Sequence, residues 1–278
     1  MGLFKKSKTT IGLCLGGGGT RGFAHIGALR AFEEYGIKFD MVAGCSVGSC
    51  MGAFICAGKN FKQIYNIGKG LEVKDIKKNK IKFMPSSTEG IQQLISKNIK
   101  QKTIEELPIK LFVVSVDAKQ GKEIVFDKGS LPEIVAGSCA VPGVFYPVIY
   151  NDMTLIDGGV MNNIPADVLK NNGCDVIITV DVNSTRGGGT SSEKFYDVFL
   201  ASIGIMMKNN SSMGYQYSDI VIKPDMKRFK SSKLDGNEAM VEEGYNATVA
   251  VMPEILKLIK NKRYRLWKRK MRKLGLKR

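Results

Sequence analysis

The sequence predicts one α/β domain, on three observations. A short apolar strand runs into four glycines and then a helix; a second strand–turn–helix unit follows closely. The chain, at 278 residues and 44% hydrophobic, is also long enough to bury a large core. No repeat, low-complexity block or Pro/Ser-rich linker divides it. The best loop candidate is TRGGGTSSE, residues 185–193.

The first element is Ile11–Leu15, short, apolar and bounded by turn residues, which reads as a buried strand. Beyond Gly22 the residues Phe23, Ile26, Leu29, Ala31 and Phe32 have helical spacing, ending near Gly36. The glycines at 16–19 therefore lie at a strand-to-helix turn. Backbone N–H groups there point outward and the helix dipole favours negative charge. A phosphate is one candidate anion, but the G-x-G-x-x-G match of residues 17–22 is nearly automatic in a glycine run. No acidic residue closes a second Rossmann strand, and no Gly-Lys-Ser/Thr completes a Walker loop. A transient oxyanion would want the same donors.

The second unit reads FDMVAGCSVGSCMGA, residues 39–53. Residues 39–43 read as a strand, Gly44-Cys45-Ser46-Val47-Gly48 is G-x-S-x-G, and small residues follow in helical register. A nucleophile elbow needs this context: a serine on a strained turn, flanking glycines that relieve crowding, and a closely packed helix. A tight turn with Ser46 merely capping the helix would share the pattern. The serine needs a proton acceptor. The one histidine, His25, sits in an apolar helical setting typical of a packed core residue. Among carboxylates, Asp157 ends an apolar strand-like run and precedes two glycines, while Asp40, Asp152 and Asp175 hold ordinary turn positions. Desolvation beside apolar strands would raise the Asp157 pKa and make it a better base.

Composition narrows the class. Six cysteines show no CxxC pair or zinc spacing, and a lone histidine argues further against a zinc site, so a reduced cytoplasmic protein is expected. The basic first ten residues lack a signal-peptide core, and Lys6 stands where myristoylation wants Ser or Thr. The longest mostly apolar stretch, 199–207, falls short of a bilayer span, so the protein is expected to be soluble or to rest on a membrane. The formal charge is +16, and residues 257–278 hold twelve Lys or Arg with no acid, leaving the remainder at +4.

Four blocks in order carry a resemblance to the patatin-like phospholipases of the compact bacterial type, over roughly residues 10–255. They are LGGGGTRGFAHIGAL (15–29), GCSVG (44–48), AGSCAVPGVFYPV (136–148) and LIDGGVMNNIP (155–165). The resemblance implies a three-layer α/β/α sandwich with a mostly parallel central sheet. It also implies a Ser–Asp dyad that hydrolyses lipid acyl esters without metal or organic cofactor. Ser46 would be the nucleophile, Asp157 the base, and the amides of Gly17, Gly18 and Gly19 the oxyanion hole. Arg21 would either brace the glycine loop or favour the developing charge. Ser138, Pro142 and Asn163 would be scaffold around the site. The chain departs from the Asp-Gly-Ala frequent in the family by having Asp-Gly-Gly. A thioesterase or lysophospholipase could use the same dyad, and a non-catalytic membrane-binding scaffold could keep the fold.

The expected organisation is an acyl hydrolase domain over residues 1–256 and a basic amphipathic tail over 257–278. In the tail Tyr264, Trp267, Met271 and Leu274 recur at steps of three and four, forming a stripe among Lys and Arg. That pattern suits a helix lying on an anionic membrane, where each basic residue adds ~1 kcal/mol. Electrostatic binding to nucleic acid or a solvated terminal helix are the alternatives. Oligomeric state is left open.

Overall fold

The computed structural model describes residues 9–76, 84–185, 190–229 and 236–273, the last as backbone only from residue 263 on. The strands are β1 (Ile11–Leu15), β2 (Met41–Cys45), β3 (Lys110–Asp117), β4 (Lys122–Phe126), β5 (Val148–Tyr150), β6 (Met153–Asp157), β7 (Val176–Val180) and β8 (Ile220–Ile222). The helices begin with α1 (Phe23–Glu34), α2 (Val47–Cys56), α3 (Phe61–Lys69), α4 (Val73–Ile76) and α5 (Glu89–Asn98). They continue with α6 (Leu131–Ser138), α7 (Ala166–Asn171), α8 (Phe195–Tyr215) and α9 (Asn237–Lys273).

The strands form one sheet in the order β5-β6-β3-β2-β1-β7-β8, with β4 also paired to β3. The five strands from β3 to β8 along that order run parallel, and the β3–β4, β3–β6 and β5–β6 pairs are antiparallel. Side chains alternate across the sheet as strand geometry requires. Leu13 and Leu15, Val42, Leu111 and Val113, and Val176, Ile178 and Val180 enter the larger core. Cys14, Ala43, Phe112, Val114 and Ile177 enter the smaller one on the opposite face, with Leu169 of α7 and Tyr215 of α8. Because both faces are covered, the central strands are continuously apolar. The expected three-layer sandwich is the fold observed.

One expected boundary shifts. The second strand is Met41–Cys45 rather than 39–43. Asp40 instead ties the strand starts together, its carboxylate accepting from Ile11 N–H at 2.9 Å, while Phe39 packs edge-on against Phe32. Gly44 and Cys45 then pair with Val113 and Val114, which carries the strand to the edge of the turn. Helix α9 crosses α1 closely: a Cβ on Gly27 would fall 1.8 Å from Val241 O, and one on Gly244 2.0 Å from Ala24 O. It runs through residue 257 without a break, and Ile259 is still buried. Leu274, residues 186–189 of the expected loop, and the side chains of Tyr264, Trp267 and Met271 lie outside the described residues. No helix among the described residues is long and apolar enough to cross a membrane.

Candidate active site

Strand register brings the proposed nucleophile and base together. Leu15 pairs with Gly44, Cys45 with Val114, and Ser115 with Asp157. Residues distant in sequence therefore line up across β1, β2, β3 and β6 at one edge of the sheet. The glycine loop leaves β1 and the elbow leaves β2 at the carboxyl ends of adjacent parallel strands, where open α/β sheets commonly place their sites.

Ser46 has φ +53° and ψ −129°, a left-handed conformation in a non-glycine residue. Such geometry costs on the order of 1–3 kcal/mol and persists only when its surroundings hold it. They do so on three sides. Ser46 N–H donates to Ser138 Oγ at 2.9 Å, and Ser138 Oγ donates onward to Val114 O at 2.6 Å. Ser46 O accepts from Ser49 Oγ at 2.7 Å and from Ser49 N–H at 2.9 Å. Close backbone approach explains the flanking glycines: a Cβ on Gly44 would lie 2.4 Å from Gly48 O, and one on Gly48 2.0 Å from Leu15 O.

Asp157 ends β6 and is fully buried. Its N–H donates to Ala140 O at 3.0 Å, and its Oδ1 accepts from Gly159 N–H at 2.8 Å and from the Cys45 thiol at 3.8 Å. Oδ2 is buried with no hydrogen bond. Burial pushes the carboxyl up to about 6, against which the nearby Ser46 hydroxyl, the Gly159 amide and the Cys45 thiol favour the charged form. Ser46 is thus close to the carboxyl, whose Oδ2 has no hydrogen bond. Catalytic bonds of this kind often tighten only with substrate in place. A carboxyl near 6 is about nine-tenths ionised at pH 7 and is a far better proton acceptor than an ordinary aspartate.

His25 takes the bland course. It is buried, and burial lowers its pKa to about 4 against the favourable Gly16 bond. Its Nε2 lies 2.9 Å from Gly16 O, an acceptor only, so Nε2 carries the proton and donates, while Nδ1 is buried without a partner. The ring supports the floor of the glycine loop.

In that loop, Gly16 N–H donates to Val180 O at 3.0 Å and Gly17 N–H to Asn163 O at 3.3 Å. The amides of Gly18 and Gly19 have no acceptor among the described residues. Of the three amides expected as oxyanion donors, Gly17 thus bonds to the chain, and those of Gly18 and Gly19 are left open. Arg21 is buried and braces the loop: Nε and Nη2 donate to Phe229 O at 3.1 and 2.8 Å, and Nη1 to Asn183 Oδ1 at 2.9 Å. Neither Phe229 nor Asn183 carries a sequence signal for this role, since both reach Arg21 only through the fold.

Asn163 does more than line the site. Besides holding Gly17, its side chain wedges between the two glycine turns. A Cβ on Gly17 would lie 2.5 Å from Asn163 Oδ1, and one on Gly159 2.8 Å from it. Its Nδ2 donates to Ser211 Oγ of α8 at 3.0 Å. Clefts of about 360 and 540 Å³ occur elsewhere, the larger lined by Asp181, Ser211, Tyr215 and Lys223, and neither includes Ser46 or Asp157. All six cysteines are free and buried, and no three His, Cys, Asp or Glu side chains cluster as metal ligands among the described residues.

A family model described as Patatin-like phospholipase matches residues 13–170. The chain is 36% identical over 185 residues to neuropathy target esterase sws of Drosophila melanogaster, covering 63% of this chain and 13% of that protein. It is 30% identical over 190 residues to an NTE family protein of Mycobacterium bovis, covering 66% of this chain and 51% of the other. The match thus spans a minor part of the fly protein and about half of the mycobacterial one. Among solved structures, VipD from Legionella pneumophila aligns with TM-score 0.60 at 14% identity, covering 91% of this chain and 67% of that one. Human GIVD cytosolic phospholipase A2 aligns with TM-score 0.53 at 10% identity, covering 95% and 61%. At such identities these two likenesses speak for the fold alone. With the family model spanning more than half of its length, this chain belongs to the patatin-like phospholipase family.

Proposed function

We propose that the chain is a lipid acyl hydrolase working through an acyl-enzyme on Ser46, with Asp157 as the base. The observation that carries this is a serine held at positive φ beside a buried carboxyl raised to about 6. Asp157 takes the proton from Ser46 Oγ as Oγ attacks the ester carbonyl. The negative oxygen of the tetrahedral intermediate is met by the Gly18 and Gly19 amides, while Arg21 keeps the loop in place. Collapse expels the alcohol, which takes the proton from Asp157, and leaves the acyl group on Oγ. Water then attacks, giving its proton to Asp157, and the carboxylic acid departs as Oγ recovers that proton. No step needs His25.

The family supports lipid esters as the substrate class. A lysophospholipase reading draws on a relative named lysophospholipase NTE1 from Candida albicans, 30% identical over 185 residues. It requires no change in the dyad. The proposal places the enzyme in the cytoplasm, drawn to anionic lipid by the twelve basic residues of 257–278. The test is hydrolysis of a nitrophenyl ester series from acetyl to palmitoyl. Activity that rises with chain length and vanishes in Ser46→Ala is the expected result. Folded protein inactive at every length, with vesicles present, would count against the enzyme and for a scaffold.

A further inference from the structure

Helix α8 has its faces reversed relative to an ordinary surface helix. The buried seam is Gly204, Met207, Ser211 and Gly214. The outward face carries Phe195, Val198, Phe199, Ile205, Met206 and Met213, all exposed, with Phe195 at 84%. These positions recur at steps of three, four and seven, so they form one stripe down the helix. Phe195 and Phe199 stack with ring centroids 6.4 Å apart. Exposed Ser202 and Asn209, both uncharged, lie within the same stripe, and exposed apolar surface of this extent marks an interaction site.

The seam shows where the stripe sits. At the amino-terminal end, Tyr196 OH donates to Gly143 O at 2.7 Å, and a Cβ on Gly143 would meet Phe199 at 2.6 Å. Gly143 belongs to the segment whose Ser138 holds Ser46 and whose Ala140 holds Asp157. Toward the carboxyl end, Asn210 Nδ2 donates to Val160 O at 2.5 Å, and Ser211 holds Asn163. A Cβ on Gly214 would fall 2.1 Å from Ile164 O. Helix α8 therefore packs its seam on the two segments that position Ser46 and Asp157, and its apolar stripe lies on the opposite, solvent-facing side of the helix.

We infer that this stripe is the face by which the enzyme beds into a lipid bilayer. The stripe contains no charged residue, and the whole helix has only Asp197 and Lys208. Asp197 is turned back to accept from Ser192 Oγ at 2.5 Å. Aromatic, branched and thioether side chains without charge match the boundary of headgroups and acyl chains, into which an amphipathic helix sinks its apolar face. The choice of lipid as partner rests on the proposed acyl hydrolysis. The bedding itself is distinct from the basic run at 257–278, since it needs no anionic lipid.

The test uses the full chain carrying Ser46→Ala, co-sedimented with vesicles of pure phosphatidylcholine, so that binding is read without turnover. Phe195→Glu, Met206→Glu and Met213→Glu combined should lower vesicle binding at least tenfold. Leucine at the same three positions should retain it. With Ser46 restored, the Glu variant should hydrolyse a water-soluble butyryl ester within about twofold of the parent, which also shows that it folds. Equal binding by parent and Glu variant, or no binding of the parent to neutral vesicles, would overturn the inference. So would a parent dimer in lipid-free sedimentation that the Glu variant converts to monomer, which would assign the stripe to a second copy of the chain. Absence of ester hydrolysis in the parent would instead defeat the proposed function, leaving the vesicle result to stand separately.

Discussion

At the elbow, backbone meets backbone: Gly44 faces Gly48, Gly48 faces Leu15 O, and Ser46 is 5% exposed. Along α8 the seam also rests on small residues, Gly204, Ser211 and Gly214 beside Met207, yet large apolar side chains face solvent. Small residues at the elbow serve a turn that cannot form otherwise, and every neighbour is part of the protein. Small residues on α8 let it lie flat on the segments around Ser46 and Asp157, and its large apolar outer residues are exposed among the described residues. The comparison teaches that residue type at the elbow answers to backbone geometry. On α8 it answers to a partner.

The largest expected effect comes from breaking the elbow side. Ser46→Ala should cost about 10⁶-fold in kcat by analogy with other serine nucleophiles, and Asp157→Asn roughly 10²–10⁴-fold, as loss of a general base does. Steady-state hydrolysis of a soluble ester by each folded variant checks both.

The Asp157 carboxyl gives two pH signatures. Activity should rise with pH through a limb near 6, where the buried carboxyl loses its proton. Stability should run the other way. The folded-state pKa lies above the unfolded one, so between about pH 4 and 6 the folded state holds a proton that the unfolded state has released. Asp157 therefore lowers stability as pH rises through that window, by on the order of 3 kcal/mol, and Asp157→Asn should remove that share of the slope. Urea unfolding of both proteins at pH 4 and pH 7 reads it directly.

His25→Ala sharpens the contrast between supporting and reacting groups. It should lower stability by about 1–3 kcal/mol by leaving Gly16 O without its donor. The folded variant should keep activity within several-fold and keep the limb near pH 6. Loss of that limb would move the base to His25. The smallest effect belongs to α8: Met206→Ser, at a 47% exposed position, should leave stability within about 0.5 kcal/mol. A thermal unfolding curve would show whether its outer face serves the fold after all.

Much of the site was legible because glycine leaves a mark. The runs at 16–19, 44–48 and 158–159 occur where backbones must nearly touch, and that requirement acts locally. Asp157 stood out for the same reason, as an acid at the end of an apolar strand followed by two glycines. The boundary of β2 was misplaced by two residues because Phe39 is as strand-like as Val42. Asp40 carries the strand-start contact to Ile11, and only the neighbouring strand selects it. The donors at Gly17, Gly18 and Gly19 looked alike until Asn163 O claimed the first. Arg21 had two readings until Phe229 and Asn183 reached it across the fold. In 199–207 an apolar stretch was visible, but composition does not say which of its residues meet the protein.

The sequence by itself determined the strand–turn–helix units, the serine on its elbow and the aspartate after its strand. Each follows from torsional and steric demands within a few residues. Tertiary structure alone decided the approach of Ser46 to Asp157, the raised pKa of Asp157 and the lowered pKa of His25, and the outward turn of the α8 stripe. Those depend on register across four strands and on desolvation by distant segments, and a pKa or an exposure belongs to the packed environment and to no single residue.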